Sequence, residues 1–251
     1  MKSNQEWKLW GKTDPLFAVS SWKGKEKGGP APWTDDEFYA LGRSDWEDFF
    51  AHWNSYECNT AHCIEIGCGA GRLTRHISEV FQTVTALDVS EDQIAYAHSR
   101  IPAGNINYHV TDGVHFAAKV KPATAVFSAH VFQHFDTLAD AGQVFHEIFQ
   151  ALAPGGTVMI HLPVYSLPET PAAPLMRSLF ALTKQVGNLK ANLNRKRGKL
   201  IMRGLAYERS WLADCFLKIG FQRVEFRAFR VRSNHCWHDF IMATKPADQV
   251  K

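Results

Sequence analysis

The chain has 251 residues, of which 45% are hydrophobic and 21% charged, and its formal net charge is +3. This is an ordinary soluble globular composition, and so small a net charge does not imply that the chain as a whole binds nucleic acid. It has no run of about 18 apolar residues, and its polar start lacks the apolar stretch of a secretory signal. We therefore expect a cytoplasmic protein without a transmembrane helix.

Cysteine and histidine patterns give no reason to expect a metal. The five cysteines are an odd number without a CxxC pair, which argues against a disulfide framework and a zinc ribbon. His235 and His238 flank Cys236 in HCWH, but no second group of ligands accompanies them. The sequence predicts free thiols and no metal site.

The first predicted unit, residues 1–55, combines an arm with a lid helix. Residues 1–32 are rich in Trp, Lys, Gly and Pro and show little periodicity, which predicts an extended arm or lid. Residues 35–54 predict a helix, because acidic residues crowd the first turn and aromatic residues recur on one face. Gly42 is expected to break it. Five of the eight tryptophans lie at or before Trp46, so the arm is also a candidate homodimer contact.

From about residue 61 short apolar strands alternate with amphipathic helices. Strands are predicted at 62–67, 83–88, 106–110, 124–129 and 157–162, and helices at 72–81, 91–100 and 139–152. A later helix closes at Gly220, and strands follow at 222–229 and 238–245. This order predicts an α/β fold with a doubly wound, mostly parallel seven-stranded sheet of the Rossmann-like kind. The core comprises residues 56–163 and 207–251.

Residues 164–206 interrupt the alternation and predict an inserted substrate cap. Between Glu169 and Glu208 the chain has no acidic residue but many basic ones, grouped between Arg177 and Arg203. Such an excess can attract an anionic substrate, a phosphate backbone or a membrane surface. A solvated helix and loop explains it equally well.

The stretch CIEIGCGAGRL, residues 63–73, puts three glycines directly after a strand. Glycines at alternate positions indicate a sharp turn or the close approach of a ligand to the backbone. Asp88 ends the next strand about 20 positions later, where a carboxylate can accept hydrogen bonds from ribose hydroxyls. The spacing is GxGxG, which differs from the GxGxxG of dinucleotide-binding proteins.

These motifs resemble those of the class I S-adenosylmethionine-dependent methyltransferases of small-molecule type. EIGCGAG (65–71) resembles the family's first motif, LDVS (87–90) its second and TDG (111–113) its adenine-contacting segment. FSAHVFQHF (127–135), LAPGG (152–156) and a C-terminal strand pair follow in family order. The resemblance covers roughly residues 56–163 and 205–251.

The resemblance implies S-adenosyl-L-methionine as cofactor and S-adenosyl-L-homocysteine as product. Asp88 would bind the ribose, Asp112 the adenine amino group and Ser128 would lie beneath the sulfonium. Arg43, on the lid helix, would reach the methionine carboxylate. The implied cofactor-binding residues are Glu65, Gly67, Cys68, Gly69, Asp88, Val89, Asp112, Gly113, Ser128 and Arg43.

The catalytic candidates are histidines near strand ends. Methyl transfer needs alignment, and a general base only where the acceptor loses a proton. We expect His130 to be this base, with His161 as the second candidate, and His134 to be structural. The fourth strand begins without an acidic residue, and the Asn/Asp-Pro-Pro-aromatic signature of amide N-methylation is missing.

These observations predict a methyltransferase that acts on O or N of a small molecule such as a sugar, a lipid head group or a secondary metabolite. Two alternatives stay open. One is a tRNA or rRNA methyltransferase that holds phosphates with the basic cap. The other is a protein that binds S-adenosylmethionine without catalysis.

Overall fold

The computed structural model describes residues 3–167 and 204–248. Its N-terminal arm forms two helices, α1 (Ser3–Thr13) and α2 (Pro15–Val19), so the prediction of an extended arm is wrong. Pro15 pre-sets the backbone at the first position of α2, and the Asp14 side chain accepts a hydrogen bond from the Phe17 N–H. These local signals begin a helix without the periodicity that a longer one would show.

The lid helix, α3 (Asp35–Asn54), starts at a capping box in which the Thr34 and Glu37 side chains cap each other's backbone N–H groups. It runs unbroken through Gly42, so the predicted break is wrong. A Cβ at Gly42 would overlap the Arg72 carbonyl oxygen. Glycine stands there because α3 packs closely against the backbone of the glycine loop.

The sheet has the predicted seven strands in the order β3-β2-β1-β4-β5-β9-β8. The first five strands run parallel, and β9 is antiparallel to both of its neighbours. This confirms the predicted fold class. The sheet strands are β1 (His62–Ile66), β2 (Thr83–Asp88), β3 (Ile106–Val110), β4 (Ala123–Ser128), β5 (Leu152–His161), β8 (Gln222–Arg230) and β9 (Trp237–Thr244).

Helices cover both faces of this sheet. Alternate strand residues such as Ile64, Val126 and Ile160 pack with α6 (Leu138–Ala151) and α7 (Arg209–Ile219). The intervening residues, among them Cys63 and Phe127, pack with α3 and α4 (Thr74–Val80). The remaining helix, α5 (Glu91–Arg100), follows β2. Strands buried on both faces explain the continuous apolar runs of the sequence.

Two short strands, β6 (Val164–Tyr165) and β7 (Tyr207–Glu208), pair in parallel. They hold together the two ends of the predicted cap. Residues 168–203, which include the basic residues from Arg177 to Arg203, lie outside the described part of the chain. In the described ranges, 3–167 and 204–248, no helix is long and apolar enough to cross a membrane.

Candidate functional site

The glycine loop is fixed to the carboxyl end of β2. The Gly67 and Cys68 N–H groups donate to the Leu87 carbonyl at 2.7 and 3.0 Å, and the Gly69 N–H donates to Asp88 Oδ2 at 2.9 Å. All three loop glycines have positive φ, from 52° to 82°. These bonds aim the loop's open face at the space beyond the strand ends.

Asp88 forms one wall of that space. Its Oδ1 accepts a hydrogen bond from the Ser90 N–H at 2.9 Å, so both carboxylate oxygens are held by backbone. Burial raises the pKa of Asp88, and the hydrogen bonds from Ser90 and Gly69 oppose this rise. The carboxylate is thus oriented before any ligand arrives.

A cavity of about 330 Å³ begins at this loop and extends across the carboxyl ends of β1, β2 and β4. Helices α1 and α2 cover it, and contribute Asn4, Trp7 and Val19 to its lining. Asn4 Nδ2 donates a hydrogen bond to the Asp112 carbonyl at 2.6 Å. The Trp7 and His134 rings pack edge to face with their centroids 4.7 Å apart. Further lining residues are Gly67, Gly69, Asp88, Val89, Thr111, Gly113, His130, Gln133, Ser233 and Asn234.

Arg43 does not reach this cavity. Its side chain is about half exposed and pairs with Glu79 at 3.3 Å, because its position on α3 faces α4. Arg72 lines the cavity instead, is 4% exposed and forms a buried ion pair with Asp45. Its Nε has no hydrogen-bond partner among the described residues. An unpaired buried guanidinium nitrogen at a cavity wall is suited to an anionic ligand.

Asp112 and Gly113 follow β3, but only Gly113 lines the cavity. Partial burial raises the pKa of Asp112, but hydrogen bonds from His115 and Val114 outweigh it and lower the pKa to about 2. These bonds turn the carboxylate toward the following turn and away from the cavity. The Gly113 N–H already donates a hydrogen bond to Thr111 Oγ1 at 3.2 Å.

Three other implied cofactor residues lie beneath the cavity. Ser128 is fully buried and its Oγ donates to the Ile66 carbonyl at 2.9 Å, so Ala129 and His130 occupy the surface expected for it. Cys68 is also buried. Burial raises the pKa of Glu65 to about 7, which Thr74 and Arg72 partly offset, and its Oε2 lacks a hydrogen-bond partner among the described residues.

His130 is the histidine candidate that faces the cavity. It has φ of 61°, unusual for a non-glycine residue, and its N–H donates to His161 Nδ1 at 3.3 Å. Burial lowers its pKa well below the usual value, and nearby His161 and Arg72 add to this effect. The imidazole is therefore uncharged at neutral pH.

His161 lies behind His130 and does not line the cavity. It is 7% exposed, and its Nε2 is 3.2 Å from Nδ1 of His238. Burial, with His238 close by, lowers the pKa of His161 to about 3.

Sequence reasoning missed three groups at this site. Arg72 directly follows the glycine motif, so its position was a usable signal. His238 was noted only as part of HCWH, although its strand brings it to His161. No local pattern marks Asp45, whose Oδ1 also accepts a hydrogen bond from Ser233.

The sequence of this chain is similar to sequences of known methyltransferases. Residues 64–160 match the family model described as a methyltransferase domain. The chain is 29% identical over 123 residues to trans-aconitate 2-methyltransferase of Variovorax paradoxus, an alignment that covers 48% of this chain and 45% of that protein. It is 31% identical over 100 residues to a ubiquinone biosynthesis O-methyltransferase of a Caulobacter species, covering 39% of this chain and 38% of the relative.

The fold agrees with that of solved methyltransferases. Magnesium protoporphyrin IX methyltransferase from Synechocystis PCC 6803, solved with S-adenosylmethionine, aligns with a TM-score of 0.58 at 11% identity over 98% of both chains. The chain spans less than half the length of the two curated relatives named above.

Proposed function

We propose that this chain, which carries a methyltransferase domain on the fold of solved methyltransferases, is a class I S-adenosylmethionine-dependent enzyme that transfers the methyl group of this cofactor to an oxygen or nitrogen atom of a small molecule. One observation carries the proposal. A single cavity connects the oriented carboxylate of Asp88, beside the glycine loop, with the uncharged His130 at the end of β4. A nucleoside site and an acceptor site are thereby joined.

The residues present fit the cofactor. Gly67 and Gly69 let the backbone of the loop line the cavity directly with Val131 and Val19 packed against it, since a Cβ on either glycine would overlap one of these valines. Asp88 is placed to accept hydrogen bonds from ribose hydroxyls. When bound, S-adenosylmethionine supplies an activated methyl group that an acceptor lone pair displaces in line.

Arg72 takes the role that the family resemblance implied for Arg43. Arg72 lines the cavity, is buried and has in Nε a donor without a partner among the described residues, so it is the group that binds the carboxylate of the methionine part. Asp45 holds the guanidinium in place through its ion pair. Glu65 lies beneath the loop and outside the cavity lining, so it supports the loop through Oε2, a hydrogen-bond acceptor without a partner among the described residues.

His130 is the general base. A protonated acceptor must lose a proton as it is methylated, and the uncharged ring of His130 lines the cavity beside the glycine loop. His161, second candidate by sequence, positions His130 by accepting its backbone N–H. The lowered pKa of His130 keeps its ring unprotonated at neutral pH, so that a ring nitrogen is available to accept this proton.

A small-molecule acceptor agrees with the names of the relatives, one of which acts on trans-aconitate and another in ubiquinone biosynthesis. The covered cavity also suits a compact ligand better than a duplex. RNA methylation through the basic cap rests on residues outside the described ranges, and binding without catalysis would leave His130 without a role.

The proposal is tested by incubating the protein with S-adenosylmethionine and a panel of carboxylic acids, phenols, sugars, amines and total tRNA while S-adenosylhomocysteine is measured. We expect a small molecule to be methylated at a rate that changes little with salt, and His130→Gln to lower that rate by roughly 10²–10⁴. Methylation of tRNA alone with steep salt dependence, or an unchanged rate in His130→Gln, would overturn it.

A further inference from the structure

Three histidines from separate parts of the sheet meet behind the cavity. His130 follows β4, His161 ends β5 and His238 lies in β9. The ring centroids are 4.3 Å apart for His130 and His161, 4.9 Å for His161 and His238, and 5.3 Å for His130 and His238. One ring nitrogen of each lies within 4.8 Å of the others. Imidazole nitrogens gathered in this way are a common ligand set for transition metals.

We propose that His130, His161 and His238 bind a single divalent transition metal of the zinc class. Nε2 of His161 and Nδ1 of His238 are 3.2 Å apart. Two nitrogens bound to one zinc ion at ~2.0–2.1 Å with tetrahedral angles lie about 3.3–3.4 Å from each other. This pair is thus already at ligand spacing, and the His130 nitrogen, which lies within 4.8 Å of the other two, has to move closer by a turn of its ring to complete a three-nitrogen set.

Metal binding would break three hydrogen bonds of the metal-free protein, namely His161 to His238, the His130 N–H to His161, and the Cys236 N–H to Asn234. The second nitrogens, Nδ1 of His161 and Nε2 of His238, would each carry a proton. Nε2 of His238 is 3.3 Å from the Asn234 side-chain amide. Oδ1 of Asn234 accepts a hydrogen bond from the exposed Cys236 N–H. If the amide rotates, Oδ1 loses that bond and can accept one from the protonated Nε2 of His238 instead. The bond from the His130 N–H to His161 would open as His130 turns. We therefore expect moderate affinity, because these exchanges oppose binding.

The fourth position of this site faces the cavity. His161 and His238 are buried at 7% and 6% exposure, whereas His130 lines the cavity, so a ligand reaches the metal only from the cavity side. Three protein ligands with one open position are typical of catalytic zinc sites, where the metal lowers the pKa of a bound oxygen. Resting on the proposed function, the metal-bound form would activate an acceptor hydroxyl by lowering the pKa of its oxygen, whereas His130 acts as the base in the metal-free form.

The test titrates chelator-treated protein with Zn²⁺ and with Co²⁺, in the absence of cofactor and acceptor. We expect one ion per chain, visible Co²⁺ absorption typical of tetrahedral nitrogen coordination without a thiolate band, and a higher Tm with Zn²⁺. His238→Gln, which lies outside the cavity, and His130→Gln should each weaken binding at least about 10-fold. The exposed His146 on α6 provides the matched control His146→Gln, which should bind as the wild type does.

Binding weaker than millimolar, a thiolate band, or an affinity equal to that of the wild type in either His238→Gln or His130→Gln would overturn the proposal. A variant that unfolds is replaced by His161→Asn, and circular dichroism checks each one. A parallel titration with S-adenosylhomocysteine separates this proposal from the proposed function. Cofactor binding without metal binding rejects only the metal site, and metal binding without cofactor binding rejects only the methyltransferase assignment.

Discussion

The two ends of the cavity are built in different ways. At the cofactor end, the glycine loop and Asp88 lie on neighbouring strands, and their contacts join residues about 20 positions apart. At the acceptor end, His130 meets His161 across 31 positions and His161 meets His238 across 77. A site made from one strand-loop-helix-strand unit leaves a motif in the sequence, whereas a site assembled from three distant strands leaves only scattered histidines.

The largest effect is expected from a substitution in the glycine loop at the cofactor end. Gly67→Ala places a methyl group at φ of 74° and into the Val131 side chain. Left-handed strain of about 1–2 kcal/mol and overpacking of about 1–3 kcal/mol should together lower the free energy of unfolding, as measured in urea.

The double variant Gly67→Ala/Val131→Ala should recover the overpacking part only. Gly104 has open space where a Cβ would stand, so Gly104→Ala is the matched control and should change stability by less than about 0.5 kcal/mol. A Gly67→Ala protein as stable as the wild type would contradict the packing of this loop.

A second prediction concerns the carboxyl group beneath the loop. The folded protein keeps a proton on Glu65 up to about pH 7, whereas the usual value is 4.5. The unfolded chain loses this proton first, so Glu65 lowers stability progressively as the pH rises from about 4.5 to 7. Glu65→Gln cannot ionise, so it should avoid about 3 kcal/mol of this loss in the free energy of unfolding. The test measures the free energy of unfolding of the variant and of the wild type at pH 4.5 and at pH 8, and compares the two differences.

The exposed Glu91 gives the control Glu91→Gln, which should follow the wild type at both pH values. A constant difference between Glu65→Gln and wild type across this range would contradict the raised pKa, because it would show that folding does not change the pKa of Glu65.

The third prediction compares two arginines. Arg72→Lys keeps the charge but loses Nε, so it should weaken S-adenosylhomocysteine binding by about 2 kcal/mol, or roughly 30-fold. Arg43→Ala should leave the affinity unchanged, since Arg43 faces Glu79 at the surface. Weaker binding in Arg43→Ala with unchanged binding in Arg72→Lys would contradict this account, and would favour the sequence-based prediction that Arg43 binds the methionine carboxylate.

The smallest effect is expected at the cover of the cavity. Trp7→Ala removes the contact with His134 and should weaken S-adenosylhomocysteine binding about 5-fold, close to 1 kcal/mol. The molar mass in solution should not change, because Trp7 packs within its own chain. A fall in mass with unchanged affinity would instead favour the arm as a homodimer contact.

The sequence predicted the sheet well because each strand and helix carries its own period and its own turn signals. The second helix of the arm was missed because the five residues of α2 have no period to detect, and only the cap at Asp14 and Pro15 marks it. Gly42 was misjudged because its role depends on the Arg72 carbonyl, which packs against it only in the folded chain.

The same distinction separates the site residues. Gly67, Gly69 and Asp88 could be placed from spacing alone, but the direction of a side chain could not. Asp112 turns toward His115, and Ser128 turns inward to Ile66. These orientations follow from local hydrogen bonds that compete with a ligand, and no motif records them.

The central claim is that the glycine loop and Asp88 bind the nucleoside part of S-adenosylmethionine. The most direct measurement is calorimetric titration of wild type, Asp88→Asn and the exposed control Asp92→Asn with S-adenosylhomocysteine. We predict micromolar binding by wild type and Asp92→Asn, and a loss of about 30-fold or more in Asp88→Asn, because charge-assisted bonds to the ribose are weakened. Equal affinity in all three proteins, or no binding by wild type, would contradict the account.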